Sequence, residues 1–409
     1  MPAVSYNHGT RVLQADESTR PIELVNETTI GVLMTAPVLD TSVLHYNEPF
    51  QFFTDSSATK AALGTTGTAA DVIDAIEDQG IIASMVGIVV PEGAGANAQA
   101  KLEATISNMV GSASAMTGVH GFKGAKSLTG VEPGLIIFPG FGSQRIAGAA
   151  NPLVVEAEGV AQRLRSMVIF DGPGTTAAAA YQARQDFTNG QRLYMVDPHV
   201  RVFRAGDTVP TVMPASARVA ALAIKRDKEM GGPYGSPSNQ VIGGIVGPGR
   251  PVSYYDGETD HEANYLNSNR IATIIENRIL WGNETLSSDP MWRFFNVRRT
   301  RDAIEKSIVR AFRWALDRNL GAHLAVAVIE SVEEFLTELK GAGAILGGRA
   351  YFLREMNSNA SLRSGILRVE FDAEETPPLQ DLIFGSRRNE FYFDTLASDI
   401  MDALERRAA

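Results

Sequence analysis

The sequence contains no cysteine in 409 residues. Disulfides, thiolate nucleophiles and cysteine-ligated zinc are therefore excluded, and the chain suits assembly in a reducing compartment. It has no apolar run of about 18 residues or more, the length a membrane-spanning helix needs. The opening MPAVSYNHGTRV lacks the apolar stretch expected of a signal peptide. A basic excess is missing too. Lys and Arg number 37 against 47 Asp and Glu, for a net charge of −10. That balance argues against a nucleic-acid-binding body, which needs cations to displace phosphate counterions. The six histidines (His8, His45, His120, His199, His261 and His323) are scattered, and are expected in loops or on the surface.

Enzyme signatures are equally thin. There is no HExxH, no GxSxG elbow and no P-loop lysine. Gly172-Pro173-Gly174-Thr175 follows an apolar run as a phosphate-cradling turn would, but lacks the spacing, and reads as a structural turn. Gly341-Ala342-Gly343 ends a helix, whereas dinucleotide-binding glycines precede one. Asp197-Pro198-His199 pairs two metal-ligand types with no further ligands at metal spacing, so a loop is the better reading. Catalytic, cofactor and metal residues are each expected to be none.

What the chain does have is length for two or three domains, with ordinary hydrophobic (44%) and charged (21%) fractions. Thr28–Pro37, Phe50–Thr54 and Ile81–Val90 read as strands, with helices over 69–78 and 98–110. Apolar runs at 132–139, Met167–Phe170 and Leu193–Val196 alternate with helical patterns at 152–166, 175–187 and 215–230. Such alternation predicts a doubly wound α/β layer. Residues 231–265, rich in Gly, Pro, Ser, Asn and Tyr, read as a long irregular connection. Ile271–Ile279 and Leu280–Trp281 are strand-like. A helix is expected at Ser331–Lys340, with Ser331 and Glu334 as a capping box. Tyr351–Glu355 and Gly365–Phe371 look like paired strands of a second, α+β domain. The last stretch, from Ile383, reads as a strand and a short helix.

The densest charge feature lies at 293–318. Ile304, Ile308, Ala311, Phe312, Ala315 and Leu316 fall at helical spacing from Asp302 onward, with Thr300 or Asp302 as the cap. Arg298, Arg299, Arg301, Lys306, Arg310 and Arg313 lie between Arg293 and Arg318, opposed by Asp302, Glu305 and Asp317. Two readings stand side by side: a docking surface for an acidic partner, or a helix solvated by its own charges. Residues 1–20 also allow two readings. Thr10, Val12 and Gln14 alternate with Arg11, Leu13 and Ala15 as in a strand with no partner nearby. Such a terminus is either frayed or adds to the sheet edge of another subunit.

Several segments resemble contractile phage tail sheath proteins. Trp281-Gly282-Asn283, Ser288-Asp289-Pro290 and Trp292 through Val297-Arg298-Arg299 are similar to the family's C-terminal domain. So is the helix that follows. YNHGTRVLQADESTRPI resembles its N-terminal arm, and TTIGVLMTAP its first core strand. Met213-Pro214-Ala215-Ser216, Gly231-Gly232, Pro237-Ser238-Asn239, Tyr265-Leu266-Asn267 and Gly365…Pro377-Pro378 follow in the family's order. With no large insertion apparent, the sequence looks like the compact type found in short-sheath phages and phage-derived bacteriocins.

The resemblance implies a mixed α/β and α+β fold: a subtilisin-like α/β middle region, an α+β C-terminal domain and two extended arms. The expected segments are an arm at 1–20, an α/β region at 21–110, a sheath domain at 111–280, a C-terminal domain at 281–385 and an arm at 386–409. His8, Gly9, Thr10, Arg11, Val12, Leu13 and Gln14 would form an inter-subunit strand, and 386–400 would add another. Arg298, Arg299, Arg301, Lys340 and Arg349 would touch the tail tube or a neighbouring subunit. The implied partners are further copies in a helical sheath, the tail tube, and baseplate and tail terminator proteins, with no cofactor, nucleic acid or membrane insertion. The implied place is the virion tail, assembled in the host cytoplasm. The alternatives are a soluble α/β enzyme and a sheath from a bacteriocin or injection system.

Overall fold

The computed structural model of the protein describes residues 21–25, 27–204 and 206–408. The apolar runs form strands β1 (Ile30–Met34), β2 (Phe50–Phe53), β3 (Ser84–Val89), β4 (Leu135–Ile137), β5 (Met167–Asp171) and β6 (Leu193–Val196). Short β7 (Val200–Val202), β8 (Thr211–Met213), β9 (Gln240–Val241) and β10 (Gly247–Pro248) follow, then the hairpin β11 (Ile271–Ile275) and β12 (Ile279–Trp281). Nine of these build one mixed sheet, ordered β2-β3-β1-β4-β5-β6-β11-β12-β9. Its centre is parallel, with Ile30 in register with Met85 on one side and Leu135 on the other. β2, β12 and β9 join antiparallel at the two ends.

The central parallel strands are nearly continuous apolar runs because both faces of the sheet are buried there. Their residues alternate between two cores with the period of two that a strand imposes. Val32, Met85, Ile137, Ile169 and Tyr194 face one core, beneath α2 (Ala69–Glu77) and α7 (Ser216–Met230). Leu33, Val86, Ile136, Val168 and Met195 face the other, beneath α3 (Ala98–Val110), α5 (Pro152–Leu164) and α6 (Ala177–Gln185). The result is three layers: helices, sheet, helices.

After β12 the chain forms α9 (Phe295–Ala311) and α10 (Ala322–Gly341), then an antiparallel pair, β13 (Ile345–Tyr351) and β14 (Glu370–Glu375), linked through α11 (Asn359–Arg363). A third core joins them, built on Ile304, Phe335, Leu336, Leu339 and Ile345, with Ile22 from near the start of the chain. The chain divides into one unit ending at Pro378 and a second beginning at Leu379, whose regular element is α12 (Tyr392–Ala408).

The structure departs from the sequence reading at particular places. Strands on either side of the expected 110/111 boundary pair directly, β1 with β4, so 21–110 and 111–280 share one sheet. The helix expected from Asp302 starts at Phe295. The backbone N–H of Phe295 donates to the Asn283 carbonyl at 3.0 Å, so the preceding chain satisfies an orphan donor without a side-chain cap. Thr300 and Asp302 are interior, with their polar atoms engaged elsewhere. α10 starts at Ala322, nine residues before the expected capping box, because AHLAVAVIE is itself helix-forming. The 231–265 connection carries β9, β10 and the start of α8 (Glu262–Ser268). Residues 392–408 are helical where 386–400 was expected to contain a strand. His120 is buried within 3.5 Å of the Glu156 carboxylate, against the expectation of surface histidines.

Candidate functional site

α9 is where the chain's separate parts meet. Its buried face carries Asn296, Arg299, Thr300, Asp302 and Ser307 as well as Phe295, Val297, Ala303 and Ile304. Burying such polar groups is unfavourable unless each finds a partner, and here each ionised group does. Asp302, 2% exposed, accepts two bonds from Arg192, itself 2% exposed, at 2.6 and 2.9 Å. Arg192 leads into β6, so this pair ties α9 to the central sheet. Arg299, 3% exposed, makes a bidentate pair with Asp227 of α7 at 2.8 and 2.5 Å. Burial pushes the Asp227 carboxyl above the ordinary range, and the Arg299 guanidinium pulls it back. Arg301 donates to Glu375 at 2.5 Å and to the Ala373 carbonyl at 2.6 Å, fastening α9 to β14. Arg298 approaches Asp302 at 3.4 Å and lies 4.7 Å over the Trp292 ring. Lys306 pairs with buried Glu27 at 2.9 Å, and the Val25 N–H donates to Ser307 Oγ at 2.9 Å. The first described residues of the chain are thereby held on the same helix.

This geometry divides the expected partner-contact residues. Arg299 has almost no surface to offer, and Arg298 and Arg301 are mostly enclosed by pairs within the chain. Their side chains were expected to face a partner and instead point inward, because three segments converge on α9 with buried carboxylates. Lys340 is exposed in the last turn of α10. Arg349 is exposed on β13, 3.2 Å from Asp372. His8 to Gln14 lie outside the described residues. Sequence reasoning missed Arg192 and Asp227, which lie far from α9 along the chain. The only signal was a lone charge inside or beside an otherwise apolar pattern.

The carboxyl ends of the parallel strands, where open α/β sheets hold ligands, are filled. Asp171 accepts from the Ala215 and Ser216 N–H groups at 2.6 and 2.9 Å and from Ser216 Oγ at 2.5 Å, closing the start of α7. Asp197 accepts from Gly174 N–H at 2.6 Å and from Arg250 at 2.8 Å. The amide of the Gly172-Pro173-Gly174 turn is thus spent on a protein carboxylate rather than left for a phosphate. The crevice between Gly142, Asn151, Asp171 and Phe187 holds about 10 Å³. Among the described residues no cluster of three or more His, Asp or Glu is arranged to hold a metal, and no helix is long and apolar enough to cross a membrane.

Residues 287–387 match the family described as the phage tail sheath C-terminal domain. Over 380 residues the chain is 32% identical to a putative prophage major tail sheath protein of Pseudomonas aeruginosa, covering 92% of this chain and 95% of that one. It is 30% identical over 404 residues to the tail sheath protein of Escherichia phage P2, covering 97% and 98%. Among solved structures it is similar to the contracted PVC sheath of an extracellular contractile injection system, with a TM-score of 0.67 and 15% identity, covering 95% and 99%. The contracted helical sheath of the anti-feeding prophage gives 0.66 and 16%, covering 94% and 100%. These likenesses establish the fold, and the identities establish the kinship: the chain belongs to the tail sheath family and is a structural subunit of a contractile sheath, not an enzyme.

Proposed function

We propose that copies of this chain polymerise helically around a tail tube and that contraction of the polymer drives the tube through a host cell envelope for genome ejection. The sheath of a phage-derived bacteriocin or injection system is the same mechanics in another particle. The 281–385 segment serves as the C-terminal sheath domain, and 111–280 as a doubly wound, subtilisin-like layer. Residues 1–20 act as an arm. His8 to Gln14 add a strand to a neighbouring copy, and the segment after 378 provides a second link. Lys340 and Arg349 are the exposed cations for tube or neighbour contact. Baseplate and terminator proteins cap the ends. Assembly takes place in the host cytoplasm.

The observation that carries this reading is the β13–β14 pair. Two strands alone are marginally stable, and among the described residues neither outer edge has a strand partner. An edge of this kind accepts strands from another chain. A six-residue donor would add about five backbone hydrogen bonds at roughly 0.5–1.5 kcal/mol each. A head-to-tail contact that does not close then propagates as a helical filament. The extended lattice has to be metastable, with hundreds of subunits each gaining buried area on contraction.

Deleting residues 1–16 tests this. The truncated chain should keep its far-UV circular dichroism and lose ordered tubes in negative-stain electron microscopy. Normal tubes from the truncation would refute the donor strand.

A further inference from the structure

A cleft of about 660 Å³ lies at the amino ends of β1, β3 and β4, opposite the ligand-bearing end of an α/β sheet. Lys126, Arg163, Arg165, Lys306, Arg310 and Arg313 line it, against the two carboxylates of Glu27 and Glu132. Glu27 is engaged by Lys306, Glu132 by Lys126, and Arg165 by Glu305. Arg163, Arg310 and Arg313 have no ion pair among the described residues. Between these cations Val25, Phe53, Val131 and Val309 supply apolar surface beside the polar Thr29, Gln51 and Ser84. Phe53 and Val309 are 51% and 62% exposed. In a chain of net charge −10, three uncompensated arginines around an apolar floor call for an occupant that is acidic at its edges and apolar between them.

The C-terminal helix has that chemistry up to its last turn, where Arg406 and Arg407 add positive charge. α12 carries an apolar stripe, Phe393, Leu396, Ile400 and Leu404, at the three- and four-residue steps that place side chains on one helix face. All four are at least half exposed. On a helix of 3.6 residues per turn, Asp399 flanks this stripe on one side, and Asp394 and Glu405 on the other. None of these three carboxylates has an ion pair among the described residues. We propose that the basic cleft is a docking surface for α12 of a second copy of the chain, with the stripe on the apolar floor and the flanking carboxylates on Arg163, Arg310 and Arg313. The fit is that of an amphipathic helix laid in a groove. The proposal rests on the sheath reading only in that copies meet, and it gives the C-terminal segment a helical contact in place of a strand.

The absence of cysteine makes the test clean. Val309→Cys and Ile400→Cys are introduced together in the full chain, assembled and oxidised, and run on a non-reducing gel. A disulfide needs the two Cα atoms within about 4.4–6.8 Å. The expected result is a ladder of dimers and higher multimers. A mixture of the two single-cysteine chains should give the mixed dimer. A cross-linked monomer would place α12 on its own chain and overturn the proposal, as would the absence of any band between chains in assembled material. In parallel, Arg310→Glu with Arg313→Glu should raise the concentration needed for assembly about tenfold, since charge reversal turns attraction into repulsion. Adding Asp399→Lys and Glu405→Lys should restore it. Failure of that swap, with circular dichroism unchanged, also overturns the proposal. If the unaltered chain forms no tubes, the sheath polymer reading fails. The mixed single-cysteine chains at high concentration then still decide the contact, for or against, by the presence of the dimer.

Discussion

Arg299 was expected to meet a partner and is buried against Asp227, so its replacement separates a structural role from a contact role. Arg299→Met leaves the Asp227 carboxylate, 1% exposed, without its bidentate partner. Breaking a buried pair in this way costs about 3–5 kcal/mol, most of it the penalty of an uncompensated buried charge. Against a total stability of about 5–15 kcal/mol, that is a large share. With m at ~3 kcal/mol/M, the urea midpoint of the dilute, unassembled chain should fall by about 1–2 M, read by far-UV circular dichroism. Arg299→Glu should be worse, because two carboxylates then share one buried site. Their folded-state pKa values rise above the unfolded ones. Stability is therefore retained at low pH and lost as pH rises, so the deficit should shrink between pH 7 and pH 5. Arg299→Met combined with Asp227→Leu should recover most of the loss, since an apolar pair of similar volume replaces buried ions with little penalty. A loss under about 1 kcal/mol for Arg299→Met, or no recovery in the double variant, would refute the argument that this arginine is held for the fold.

Three further outcomes follow from the same geometry. Burial lifts the Tyr234 hydroxyl to about 12. Stability should thus be complete below the ordinary tyrosine value near 10 and fall as pH rises from ~10 to ~12, by about 1 kcal/mol once the half-buried hydroxyl's access to solvent is allowed for, a loss that Tyr234→Phe removes from the pH dependence of thermal unfolding. Gly111 sits at φ 64°, where an added Cβ would run into the Thr117 carbonyl oxygen. Gly111→Ala should therefore lower stability by more than about 1 kcal/mol in the same urea assay. Arg349→Ala removes an exposed pair with Asp372 and an exposed contact over the Tyr351 ring and should change stability by less than about 1 kcal/mol, so that any defect in tube formation reports a lost contact between proteins.

The three-layer body was legible because its signals are local. Strands such as Ile30–Met34 and Met167–Asp171 are unbroken apolar runs between turns, and the helices between them repeat every three or four residues. The Gly174 amide in the Gly172-Pro173-Gly174 turn is held by the Asp197 carboxylate, which lies too far along the chain to be inferred. The junction was not legible for the same reason. Nothing near Arg299 in sequence announces Asp227, 72 residues away, and charge spacing alone makes Arg298, Arg299 and Arg301 look like Arg310 and Arg313. Depth separates them: the first three enter the body and the last two line an open cleft.

That separation bears on how a sheath subunit transmits force. α9 is fastened by directional pairs to the segment before β6, to α7, to β14 and to the chain near Glu27. Bidentate arginine pairs resist shear because both bonds lengthen when the partners slide. These pairs tie the central sheet and the β13–β14 pair to the same helix. The described chain before Glu27 is held there too, by the Val25 N–H on Ser307 Oγ and by Ile22 in the third core, whereas none of the pairs of this junction involves a described residue after Pro378. In the proposed polymer, load applied at β14 would pass through Glu375 and Arg301 into α9. From there Asp302 and Arg192 carry it to the nine-stranded sheet without passing through a flexible loop.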